Sequence, residues 1–173
     1  MLAQAYCETG RLDEARAVFD RLGPVLGDLP PDPNWIITLT RSAAVSARLG
    51  DLPRAAAVHE QLLPYREHLA GQGIIWTGAV AHYLGLVANV LGRTAEAESH
   101  FALAGELHRH VDAPAWLVRT QLEQVRLLRA GDEGRDAHWA RQLLNQALAT
   151  TRAARLPRLE VEVHDELRQW DAT

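Results

Sequence analysis

Eight histidines, one cysteine and 22 carboxylates are the side chains here that could hold a metal ion, attack a carbonyl or move a proton. His100, His108 and His110 form the densest grouping. A zinc site needs three or four nitrogen, sulfur or carboxylate ligands, each within ~2.0 to 2.3 Å of one ion. On one helix His100 and His108 share a face but lie about 12 Å apart along the axis, so a second helix would have to contribute ligands. No His-Glu-x-x-His or paired-cysteine pattern occurs. The reading is therefore no metal site. These histidines are expected as solvated surface groups, with Glu96–His100 and Glu106–His110 as i,i+4 pairs supporting their helix. Cys7 has no partner for an internal disulfide and no nucleophile signature around it, and reads as a small buried residue. All 18 cationic side chains are arginine, which excludes a phosphate loop built on lysine, a Schiff-base lysine and a lysine general base. No convergent acid, base and nucleophile can be named, so the expectation is a protein without catalytic residues or cofactor.

The elements that would position these side chains announce themselves by recurrence. Trp35, Trp76 and Trp116 stand 15 or 16 residues ahead of Gly50, Gly92 and Gly131, a period of about 40. Alanine follows five residues after Gly10, Gly50 and Gly92, at Ala15, Ala55 and Ala97. Such units cannot bury an apolar face alone and are stable only when stacked. The fold class expected is all-α, in one domain spanning 1–173. It comprises an incomplete helix pair at 1–22, pairs at 34–63, 76–111 and 113–154, and a capping helix at 157–170. Asp32 and Pro33 should open the second pair and Gly50 end its first helix. The links 23–33 and 64–75 are rich in Pro and Gly and should be irregular. Ala140, Leu144 and Ala147, then Leu159, Val163, Leu167 and Trp170, mark apolar faces near the C-terminus.

Composition bounds the partners. A chain 47% apolar and 23% charged, with net charge −4 and no basic stripe, is an ordinary globular domain with little to hold nucleic acid. Ile74 to Gly92 carries no formal charge, about the length of a bilayer span. Thr77, His82 and Asn89 within it favour a buried helix over a membrane segment. With no secretory leader pattern and a single cysteine, a cytoplasmic protein is expected.

Ala15-x3-Phe19 and Ala97-x3-Phe101, preceded by Tyr6 with Gly10 and by Tyr83-Leu84-Gly85 with Gly92, resemble the tetratricopeptide repeat. In that resemblance His59 takes the place of the aromatic residue, and reads as a half-buried structural histidine more than as a pH sensor. The run Gly78-Ala79-Val80-Ala81-His82-Tyr83-Leu84-Gly85-Leu86-Val87-Ala88 joins Leu91-Gly92-Arg93, His100-Phe101 and Ala113 to Thr120 in a longer pattern. That pattern is similar to the C-terminal helical region of bacterial regulators carrying a signalling ATPase module, adenylate cyclase-like or LuxR-like. The resemblance implies a tetratricopeptide-like superhelix that serves as a noncatalytic interaction scaffold for a protein or peptide, or for other domains of a larger regulator. The alternative it leaves is a small-ligand sensing domain whose pocket lies among the Trp-bearing helix starts. Met1 falls where a first helix should be half complete, so a C-terminal piece or shortened relative is expected, with self-association through the incomplete first pair. Counting back from each glycine, the groove-facing partner-binding residues implied are Thr40, Ala44 and Arg48, then His82, Leu86 and Asn89, then Gln121, Val125 and Arg129.

Overall fold

A computed structural model describes residues 2–26, 34–72, 75–130 and 137–171. These residues are all-α apart from one small hairpin of strands, with nine α-helices among them. The chain divides into two compact units, 1–100 and 101–173, with the division inside one helix.

The first unit begins with α1 (Leu2–Glu8), α2 (Leu12–Leu26), α3 (Trp35–Leu49) and α4 (Leu52–Leu62). A 3-10 turn (Leu63–Tyr65) and two antiparallel strands, β1 (Leu69–Gln72) and β2 (Ile75–Ala79), lead into α5 (Val80–Val90) and the start of α6 (Thr94–His110). Three of the helix reversals share one mechanism. At Gly10, Gly50 and Gly92 the backbone turns left-handed, with φ of 75°, 65° and 74°, a region open to glycine without steric penalty. Each glycine N–H donates to the carbonyl three residues back, and the next N–H donates five residues back, as Asp51 does to Ser46 at 2.9 Å. These bonds satisfy carbonyls that a helix end otherwise leaves open. Asp51 then starts α4, its carboxylate accepting from the Arg54 N–H.

Ala15 and Ala55 are fully buried where helices close on one another, α1 on α2 and α3 on α4. Phe19 lies in a core with Ala3, Cys7, Ala15 and Val45, and Arg54 covers its ring at 4.7 Å. Helix α5 packs on both α3 and α4 and is buried on nearly every side, as its lack of a polar face requires.

In the second unit α7 (Pro114–Ala130), α8 (Ala137–Ala153) and α9 (Pro157–Asp171) form mutually packed neighbours. Their core joins Val118, Leu122 and Val125 to Ala140, Leu144 and Ala147, and to Leu159 and Val163, with Leu167 and Trp170 packed alongside. The apolar stripes read from the sequence on α8 and α9 are those that are buried. Here reversals at Asp112 (φ 51°) and Arg155 (φ 53°) use the same hydrogen-bond pair without glycine.

Three expectations change. Trp76 does not start a helix: residues 75–79 are a strand, and the helix begins at Val80. The cause is local pairing, since Ile75, Trp76 and Ala79 face Gln72, Gly71 and Leu69 across the ladder. Thr77 Oγ1 donates to the Ala70 carbonyl at 3.0 Å, and the Tyr83 hydroxyl donates to the Thr77 carbonyl. Part of the link expected to be irregular is thus β-structure. Helix α2 also runs on to Leu26, through Gly23 and Pro24, because a proline near a helix C-terminus forfeits only one hydrogen bond to the preceding turn. Asn34 sits at the N-cap of α3, while Asp32, Pro33 and the repeat glycine Gly131 lie outside the described residues. Among the described residues no helix is long and apolar enough to cross a membrane.

Candidate functional site

The implied groove residues sort by their distance from the helix end. Thr40, His82 and Gln121 all stand ten positions before their glycine, and all are buried, at 0%, 5% and 3% exposure. Thr40 donates its hydroxyl to the Ile37 carbonyl at 3.0 Å, and Gln121 reaches Gln146 at 3.4 Å. Such residues line the interior, and a partner could not reach them as a surface. Val125 is buried as well, while Ala44 and Leu86 are half-buried. Arg48 and Asn89, near the ends of α3 and α5, are exposed. Arg129 is half-buried and engaged by α9. Only Arg48 and Asn89 therefore offer a partner open polar groups.

The first unit contains a different convergence. Helix α4 carries His59 in its last turn, one turn beyond the close approach at Ala55. Helix α6 presents Glu96 in its first turn, where the positive end of the helix dipole favours a carboxylate, and His100 one turn later on the same face. His59 Nε2 lies 3.0 Å from Glu96 Oε1, and His100 Nε2 lies 3.7 Å from that same oxygen. The two imidazoles stand edge to face with centroids 5.9 Å apart. Arg93 approaches the other carboxylate oxygen at 3.5 Å, so Oε1 is the one left to the histidines. His59 is 1% exposed and His100 6%, whereas the Glu96 side chain is about one-third open to solvent.

Close approach does not make a hydrogen bond here. Neither ring nitrogen of His59, nor Nε2 of His100, has an aligned hydrogen-bond partner among the described residues. Leaving such groups unmade in an interior is costly, on the order of 1 to 3 kcal/mol each. Burial pushes the His100 imidazole below its ordinary pKa; Glu96 opposes this, and His59 and Arg66 add to it. The ring is thus held neutral, with a lone pair available. The expectation of solvated histidines fails at 100 because the Glu96–His100 face of α6 is the one that meets α4, and His59 is fully rather than half buried.

Two buried polar groups of the second unit, Glu166 and His108, are engaged by neighbouring side chains. Glu166 on α9, 4% exposed, receives Arg126 at 2.7 Å on one oxygen and Arg129 at 2.9 Å on the other, both from α7. Burial works against the Arg126 charge, but Glu123 and Glu166 outweigh it and raise its pKa. His108 is fully buried, not solvated, with Nδ1 3.2 Å from the Thr120 hydroxyl and its ring beside Trp116. Burial depresses its pKa to about 4. His110, by contrast, is exposed. Cys7 is buried against Ala3, Ala15 and Phe19, and burial raises its thiol pKa, with Arg48 opposing, so it stays protonated and unreactive.

No protein-family model matches the sequence, and comparisons with curated proteins and with solved structures gave no significant match.

Proposed function

We propose that this chain is a noncatalytic, tetratricopeptide-like binding scaffold, the C-terminal helical region of a cytoplasmic bacterial signalling or transcriptional regulator. One observation carries the reading. Five residues past the helix-ending glycines Gly10, Gly50 and Gly92, Ala15, Ala55 and Ala97 are fully buried, and four residues further Phe19, His59 and Phe101 are buried too. Equivalent positions thus sit in equivalent environments, which is what stacked units of one design require. Such a stack offers its helix faces and ends to a protein or peptide partner rather than enclosing a reaction.

Photo-crosslinking tests this. A crosslinker at Arg48 or Asn89, which are exposed, should trap one defined partner in cells of the source, while the same group at exposed Val161 on α9 should not. Equal labelling from all three positions, or none, rejects the scaffold. The small-ligand reading makes a separate forecast: Trp116 beside His108, and Trp35 edge-on to Tyr65 at 5.2 Å, would change fluorescence on adding a metabolite without any protein.

A further inference from the structure

We propose that His59, Glu96 and His100 form a binding site for a divalent transition-metal ion of the zinc class, joining α4 to α6 within the first unit. The ligand set is two imidazoles and one carboxylate, a combination that zinc accepts with a water in the fourth position. One nitrogen or oxygen from each residue falls within 4.8 Å of the other two. Ligands at ~2.0 to 2.1 Å from a tetrahedral ion stand about 3.3 Å apart, and the separations of 3.0 and 3.7 Å to Glu96 Oε1 bracket that value.

The hydrogen-bond pattern points the same way. A carboxylate 3.0 Å from an imidazole nitrogen, yet misaligned for a hydrogen bond, is what arises when donor atoms aim at a common point between them. A cation at that point would satisfy His59 Nε2, His100 Nε2 and Glu96 Oε1 together. Outer groups fit as well. Glu60 stands 3.7 Å from His59 Nδ1, without a hydrogen bond to it, and adds negative charge beside the cluster, while Arg93 lies 3.5 Å from the far oxygen of Glu96 and leaves Oε1 to the histidines. Arg66 acts against a cation near His100, and the negative charges of Glu96 and Glu60 offset it. The part-exposed Glu96 gives an ion its way in.

Zinc alone is the probe. The metal-stripped full chain, titrated calorimetrically against Zn2+ at neutral pH, should take one ion per chain and melt at a higher temperature when loaded. Cobalt substituted for zinc should show the intense visible absorption of a tetrahedral site. Glu96→Gln and His100→Gln should each weaken binding by about tenfold or more, and His110→Gln, an exposed histidine on the same helix, should leave it unchanged. Absence of stoichiometric binding overturns the site, as does wild-type affinity in Glu96→Gln. Loss of binding in His110→Gln overturns it equally. Glu96 is part-exposed, so its amide variant keeps the test decisive if the histidine variant melts without cooperativity.

Discussion

Glu96 and Glu166 are both carboxylates through which one helix meets another, yet they sit in opposite states of completion. Glu166 is buried, and each of its oxygens receives an arginine. Glu96 faces two buried imidazoles, of which both His59 nitrogens and His100 Nε2 find no aligned partner among the described residues. The fork of a guanidinium fits a carboxylate directly, so Glu166 needs nothing further. An imidazole offers one donor and one lone pair, and two of them around one oxygen leave a centre unfilled. A saturated cluster reads as a fastening, and an unsaturated one reads as a seat.

That contrast can be broken in several places, beginning with the largest effect. Arg126→Ala with Arg129→Ala strands Glu166 in the interior and should cost about 3 kcal/mol of stability in urea unfolding, the lower end for a broken buried pair because both arginines are part-exposed. A loss below about 1 kcal/mol would make the fastening ornamental. His108 gives an effect of similar size through pH. Its pKa of about 4 in the folded chain lies below 6.5, so on acidification the unfolded chain takes the proton first. Its contribution is intact above pH ~6.5 and lost as pH falls towards ~4, by about 3 kcal/mol in all. Urea midpoints measured across that window should fall more steeply in the wild type than in His108→Leu.

A smaller effect of opposite sign is expected at the open cluster. His59→Phe places there the residue type found at Phe19 and Phe101, removes both unmatched nitrogens, and should raise zinc-free stability by about 1 kcal/mol. A loss instead would mean that the imidazole is already satisfied. Smallest of all, Arg48→Ala at the exposed end of α3 should shift stability by no more than ~0.5 kcal/mol, so any loss of partner capture would be a loss of contact.

Helix ends were the most legible part of this chain. Gly50, Asp51 with Pro53, and Pro157 fix the boundaries of α3, α4 and α9 through local rules of φ and capping. The β1–β2 hairpin escaped because Trp76 matched the register of Trp35 and Trp116, and that likeness outweighed a local signal, Ile75-Trp76-Thr77 following Gly71. Three of the positions assigned to a groove are buried, and in a regular way. Thr40, His82 and Gln121 share one environment, so the counting identified equivalent positions, but which face is covered depends on neighbours that no count within a helix reveals. The histidine cluster was half visible: Glu96 and His100 form an i,i+4 pair, and His59 is a polar residue where Phe19 and Phe101 are apolar. Joining them required knowing that α4 brings residue 59 against residue 96.

The two reversals built without glycine carry a separate meaning. Asp112 and Arg155 hold a left-handed backbone that an L side chain occupies at a penalty of roughly 1 kcal/mol. Glycine performs the same turn at positions 10, 50 and 92 without that penalty. The hydrogen bonds at all five reversals are alike, so exchanging either residue for glycine would alter no partner in the turn. For a lineage moving to warmer growth, these are two places where a single codon change would raise heat tolerance without rebuilding any packed surface.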